Sequence, residues 1–231
     1  MPTRTAAKTA TRTPAKERLS RAAVARAALA LADAEGIEAL TIRRLATGLG
    51  VTPMALYWHF KDKDALLDGL AEHLFAEVTL PADDPDGDWA EQLRQVFDAL
   101  LAALARHPAV ALVVKSRILG NDPGRDVSER ILGLLRRGGF SVDRAAQVGV
   151  YALITMACIV ADEPGLEVGV SDDERDAAVR GRWAALQALS PKRYPNIVDS
   201  AESLTDCAAS DQWLELGLDT LMAGIRAQAP R

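Results

Sequence analysis

The chain is poor in aromatic residues, cysteine and histidine, and each shortage closes a route. Phe, Trp and Tyr make up 5% of 231 residues, while the apolar share is 49% and rich in Ala and Leu. That composition favours helices over a sandwich or barrel. Two cysteines, Cys158 and Cys207, sit among apolar or small neighbours, so buried thiols in a reduced, cytoplasmic protein are expected rather than a disulfide. The histidines His59, His73 and His107 lie far apart without HExxH spacing, and Cys158 has no base near it in sequence, so neither a zinc site nor a thiol nucleophile is supported. No apolar run is expected to cross a bilayer, and the N-terminus lacks the apolar segment of a signal peptide. Gly48-Leu49-Gly50 does not continue into a phosphate loop. Asp83, Asp84, Asp86 and Asp88 are interrupted by proline and lack a calcium loop's distal Glu, which reads as a solvated linker. Catalysis has no foothold, and no enzyme activity, metal or cofactor is expected.

A net charge of -5 conceals an asymmetry. Residues 1–63 hold eleven Lys and Arg against five Asp and Glu; the remainder holds sixteen against twenty-seven. A basic head on an acidic body points one end at phosphate.

Within that head the stretch from Thr41 to Lys63 carries the chemistry. Thr41 is an N-cap for Ile42 to Leu49, where Ile42, Leu45, Ala46 and Leu49 make one apolar stripe. Gly48 and Gly50 stop the helix, Gly50 standing where a left-handed residue is wanted. Thr52 caps a second helix, expected over Thr52 to His59, and Pro53 suits its first turn. Ser20 caps a preceding helix, Arg21 to Glu35, that Gly36 ends and whose Val24, Ala27, Ala28 and Leu31 face the pair. Together they predict a helix-turn-helix in a three-helix head. The second helix spends Met54, Tyr57, Trp58 and His59 where a core helix would place aliphatics, so it is built to press on something outside the protein, a DNA major groove first of all. Tyr57 and His59 can hydrogen-bond phosphate, Lys63 adds charge, and Pro53 or Met54 can pack on a thymine methyl. Trp58 has an alternative use as a half-buried strut.

The run L-A-x-x-L-G-V followed by A-L-Y-W-H-F-K-D-K-x-A-L-L resembles the DNA-binding domain of the tetracycline-repressor (TetR) family over roughly Ser20 to Leu80. The resemblance implies an all-α protein with a three-helix head and a larger helical domain for ligand binding and dimerisation. It also implies that Thr52, Pro53, Met54, Tyr57, Trp58 and His59 touch bases or phosphates, with Thr41, Arg43 and Lys63 as backbone contacts. Where the tetracycline repressor has Gln beside Pro, this chain has Pro53 and Met54, so a different base preference is expected.

Four segments follow from the chain in order: a disordered basic arm over 1–17, the head over 18–63, a connecting helix over 64–80, and the large domain over 88–231. The arm's Arg4, Lys8, Arg12 and Lys16 either track DNA or merely solubilise. The connecting helix begins at Lys63 behind Asp62, runs to about Val78, and buries Leu66, Leu67, Leu70, Leu74 and Phe75. In the large domain, helices are expected over Trp89 to Arg106, Pro108 to Leu119, Gly124 to Arg137, Val142 to Ala161, Asp173 to Leu189 and Ser210 to Ala227, with a loop over Ser190 to Asp199. Two of them are candidates for a homodimer interface, through Gly149, Ala152 and Ala157 on one and Leu214, Gly217, Leu218, Leu221 and Ile225 on the other, as the resemblance also implies.

The remaining helices would enclose a ligand cavity, with Leu100, Leu104, Val113, Ile131, Leu135 and Met156 as apolar walls and Ser116, Arg117 and Asp162 as polar anchors. Counted without gaps against the tetracycline repressor, its His, Asn, His and Gln drug ligands fall on Thr79, Val96, Val113 and Ile131. Side chains this poor in oxygen and imidazole cannot hold a hard cation. The resemblance therefore implies a repressor released from a palindromic operator by an apolar small molecule without magnesium. A ligand-independent or activating regulator, or a helical carrier or enzyme that retains the head, are the alternatives.

Overall fold

The computed structural model describes residues 19–161, 171–205 and 210–230. The basic arm, Asp162 and Cys207 lie outside the described residues. Every regular element among the described residues is helical. The head comprises α1 (Arg21–Glu35), α2 (Ile42–Leu49) and α3 (Pro53–Tyr57), and α4 (Lys63–Ala76) joins it to the body. The body comprises α5 (Trp89–Ala105), α6 (Ala111–Val114), α7 (Asp122–Arg137), α8 (Val142–Ala161), α9 (Asp172–Gln187), α10 (Pro195–Asp199), α11 (Ala201–Thr205) and α12 (Ser210–Gln228).

Local chemistry sets most starts. The Ser20 hydroxyl accepts from the Ala23 amide at 3.1 Å, the Asp62 carboxylate from Ala65 at 2.7 Å and the Asp88 carboxylate from Glu91 at 2.7 Å, each satisfying an amide the helix leaves unpaired. The face of α1 is rotated from the expected one: Val24, Ala25, Ala28, Leu29 and Ala32 are buried, and Ala27 and Leu31 sit at its margin. An Ala-rich helix offers little contrast by which sequence alone fixes the phase. On α4, Leu66, Leu70, Leu74 and Phe75 are buried as expected, with Leu67 partly so, and the helix stops at Ala76.

The core of the body lies where α5, α7 and α8 meet, with α12 laid against α5 and α8. From the head, α4 reaches into this core and touches α5, α6 and α7. The single helix expected over Pro108 to Leu119 is broken into a 3-10 turn at Pro108–Val110, the one turn of α6, and a second 3-10 stretch at Lys115–Gly120. Neither the turn nor α6 has a side-chain cap at its start, and the Val-rich run between them has weak helix propensity. The second half of the loop expected over Ser190 to Asp199 is helical, as α10.

One expectation needs correcting in α8. Its twenty residues, the most apolar eighteen of which have a mean hydropathy of 1.6, are long and apolar enough to cross a membrane, because Ala, Val, Leu and Ile run through it with charges confined to Asp143 and Arg144. Its buried face is instead spent on α5, α6, α7 and α12.

Asn121 sets the start of α7, its Oδ1 accepting from the Gly124 amide at 2.8 Å. A methyl group on Gly124 would lie 1.9 Å from the Ile118 carbonyl oxygen, so only glycine lets the 115–120 stretch close against α7. Gly124→Ala is expected to lower the unfolding free energy by roughly 1–3 kcal/mol through overpacking. A urea-denaturation midpoint equal to that of the wild type would show the contact to be soft.

Candidate nucleic-acid interface

The turn between α2 and α3 is built from three small features. Thr41 accepts from the Arg44 amide at 3.1 Å, opening α2. Gly50 closes it in the left-handed region, at φ 64° and ψ 34°, a conformation that costs glycine little. Thr52 accepts from the Ala55 amide at 3.3 Å and Pro53 occupies the first turn of α3. Both threonine hydroxyls are used here as acceptors, which leaves their O–H free to donate outward.

The second helix is shorter than expected, ending at Tyr57, with Trp58 and His59 in the turn beyond. Leu56 and Phe60 point inward and are buried, whereas Met54 is 67% exposed, Tyr57 48% and Trp58 86%. At that exposure Trp58 is no strut. Of the nine residues predicted for this site, Thr41, Arg43, Thr52, Pro53, Met54, Tyr57, Trp58 and Lys63 are exposed and His59 is half-buried. Large apolar groups left open beside cations, on a short capped helix, suit a grooved polyanion.

Sequence reasoning missed what holds this surface in place. Arg21, at the start of α1, donates from Nη1 to the His59 carbonyl at 3.1 Å and lies 4.5 Å above the Phe60 ring centre. Glu72 on α4 sits 3.9 Å from the same guanidinium. Gly69 makes room beneath, since a methyl group there would come within 2.4 Å of Phe60 Cε1. Arg44 is committed to Glu35, its Nε donating at 3.0 Å, while Arg43 makes no ion pair among the described residues. Arg21 and His59 are 38 residues apart, so no local signal linked them.

Residues 24–70 match the family model for bacterial regulatory proteins of the tetR family, and residues 80–229 match that for the tetracyclin repressor-like C-terminal domain. The chain belongs to the TetR family. It is 32% identical over 217 residues to the class D tetracycline repressor of Escherichia coli, covering 91% of each chain. It is 36% identical over 118 residues, 51% of this chain, to the HTH-type transcriptional repressor DrrR1 of Streptomyces coeruleorubidus. Among solved structures it is similar to the Streptomyces coelicolor TetR family protein ActR in complex with actinorhodin, with 30% identity, a TM-score of 0.76 and coverage of 92% of this chain and 99% of the other.

In this TetR-family body, the proposed ligand residues divide sharply. Val96, Leu100, Leu104, Ile131, Leu135 and Met156 are buried where α5, α7 and α8 meet, and Val113 is half-buried. Thr79 and Ser116 are exposed, and the Ser116 hydroxyl donates to the Val113 carbonyl at 3.0 Å. Arg117 is not a free anchor: its guanidinium is clasped by Asp64, at 2.7 Å, and by Asp68, both on α4.

The residues proposed for the dimer interface also divide. Ala152 and Ala157 are buried within the chain, and Gly149 turns towards Ile131 and Leu132 of α7. These small residues serve intramolecular packing, as does Gly217, where a methyl group would meet Ile159 at 2.6 Å. Leu218 is buried and Leu214 half-buried. Gly217, Leu221 and Ile225 still line an open groove of about 750 Å³ between α8 and α12, beside Tyr151 and Leu216.

Arg21→Met keeps the aliphatic stem and removes both the hydrogen bond and the ring contact. The amides of His59 and Phe60, which bond to the Leu56 carbonyl, should then exchange with solvent about fivefold faster, as for a loss of about 1 kcal/mol. Unchanged protection would mean that Phe60 burial alone fixes the turn.

Proposed function

We propose that this chain is a ligand-released transcriptional repressor that grips a palindromic operator as a homodimer through α3. The observation that carries this reading is the exposure of Met54, Tyr57 and Trp58 on a capped five-residue helix anchored by Leu56 and Phe60. Thr41, Arg43, Thr52 and Lys63 supply donors and charge for the phosphates, and Pro53, Met54, Tyr57, Trp58 and His59 meet the groove. The tetracycline repressors and DrrR1, named as repressors, support this assignment.

Dimerisation is favoured by the condition of α8. Only 39% of its most apolar stretch is buried within the chain. Val150, Tyr151, Ile154 and, across the groove, Leu216 stay exposed at 42–66%, a patch of the kind that marks an interface. A second copy laid on it buries the remainder and sets two heads about 34 Å apart, one turn of DNA.

The ligand enters among the apolar residues where α5, α7 and α8 meet. The ActR complex with actinorhodin is a precedent for a small molecule bound by a relative. Thr79, Val96, Val113 and Ile131 have one hydroxyl and no imidazole or carboxylate among them, so the ligand is apolar and needs no magnesium. Because Arg117 ties the 115–120 stretch to Asp64 and Asp68, a ligand that favours another arrangement of the body shifts α4 and, with it, the spacing of the heads.

Selection from random-sequence duplex DNA by the full-length protein is expected to return an inverted repeat, and no enrichment would end this reading. On the selected duplex, Tyr57→Ala with Trp58→Ala should abolish binding while helix content is retained. Arg43→Ala and Lys63→Ala should each reduce the slope of log affinity on log salt by about one. Tyr151→Glu with Leu216→Glu should sediment as a monomer and lose the duplex; a double variant that stays dimeric would place the interface elsewhere.

A further inference from the structure

The seam between head and body is ionic at two points, and one of them is built on a histidine. His107 ends the turn after α5, and the Pro108–Val110 turn that follows packs on α1. Its Nδ1 lies 2.7 Å from Oδ2 of Asp33 on α1, and its Nε2 lies 3.5 Å from Oε2 of Glu77 at the end of α4. The imidazole is 15% exposed. Oδ1 of Asp33 is buried without a hydrogen-bond partner among the described residues, so His107 is the group on hand to compensate that carboxylate.

We propose that His107 is a positioning residue for operator binding: its imidazolium, held between Asp33 and Glu77, fixes the angle at which the DNA-binding head leaves the body. This rests on the reading of the chain as an operator-binding repressor. A neutral imidazole has one N–H and satisfies one carboxylate as a donor; the imidazolium has two and joins both. With the proton gone, one N–H remains for two carboxylates, one side of the clamp opens, and α1 and α4 are no longer tied to the body through the same ring. Two heads of fixed spacing bind a palindrome better than two that wander, since less ordering remains to be done on binding.

The surrounding charges favour the proton. The hydrogen bond to Asp33 raises the His107 pKa above the ordinary histidine value, burial opposes it, and the charges of Asp33 and Glu77 add to the rise. Glu77 is pushed up by burial but is held below the carboxylate range by the Arg106 hydrogen bond and the charges of His107 and Arg106. Arg106, on the far side of Glu77 at 2.9 Å, is the cation that shares this carboxylate. On α8, which packs on the same Pro108–Val110 turn, the last two turns carry no charged side chain among the described residues. His73 lies one turn before Glu77 on α4, and His59 stands in the DNA-facing turn. Because the folded pKa is raised, the clamp is complete below about pH 6.5. Its contribution is lost as pH rises through the higher folded value.

The test is operator affinity from pH 6 to 8.5 at constant ionic strength, using the duplex selected by the wild-type protein. The parent is the wild-type protein, and His59 and His73 are common to every protein compared, so a difference between two profiles belongs to the clamp. The parent should weaken with rising pH, tenfold for each pH unit by which the clamped and open seams differ in proton affinity. His107→Gln and Asp33→Asn should both give shallower profiles than the parent while keeping the same salt slope, since neither side chain reaches phosphate. A His107→Gln profile that follows the parent, or a parent profile that runs the other way, overturns the proposal. Should His107→Gln fail to fold by circular dichroism, Asp33→Asn decides: a profile shallower than the parent's supports the clamp and the parental profile overturns it. Failure to select any duplex would instead overturn the operator-binding reading itself.

Discussion

A helix of five residues is too short to sustain itself in water, because the cost of nucleating it is recovered only over several further turns. α3 therefore depends on its cap and on tertiary support. Leu56 and Phe60 bury on one side, Thr52 satisfies an amide at the start, and Arg21 takes the His59 carbonyl at the end. This support frees the outer side chains from structural duty. Met54 and Trp58 contribute little to the core, and their identity is open to selection for whatever they meet. The same constraint explains why the head needs α1 and α4 as well as the helix-turn-helix: Phe60 is held between the Arg21 guanidinium and the gap at Gly69. Shortening or overpacking either partner moves the recognition surface without touching it.

Local features of the head were legible from sequence because they act within four residues. Ser20, Thr41, Thr52 and Asp62 all cap the helices their positions announced, and Gly50 has the left-handed backbone its place required. Long-range charge pairing was not legible. Arg117 read as a polar anchor for a ligand. Its partners proved to be Asp64 and Asp68, 53 and 49 residues earlier. His107 and Asp33 are 74 residues apart, and nothing in the spacing of three scattered histidines marks one as the neighbour of a carboxylate. Periodicity also failed where its contrast was weakest, on the Ala-rich α1 and on the Val-rich stretch that breaks around α6.

The misreading of α8 has a different origin. Small residues on an apolar helix allow close approach, but they do not say to what. Ala152 and Ala157 admit neighbours within the same chain, and Gly217 on α12 makes room for Ile159. The face left over is made of larger residues, Val150, Tyr151 and Ile154, which a monomer core would have taken in first had it needed them. A helix whose small residues are consumed inside and whose bulky ones stand open is apolar on two sides. Its composition then cannot be told from that of a membrane span.

The contact between head and body mixes two kinds of bond with different consequences. α4 enters the core through Leu70, Leu74 and Phe75, and an apolar contact of that kind is non-directional and tolerates small rotations. The ionic contacts at Arg117 and at His107 are directional, short-ranged and open partly to solvent, so each contributes modestly to stability. Their value lies in angle. On the mechanism proposed above, a seam held by burial and indexed by charge has more than one setting, and a ligand or a single proton chooses between them. On the same proposal, a seam closed by more leucine would fix the head more firmly but answer to neither.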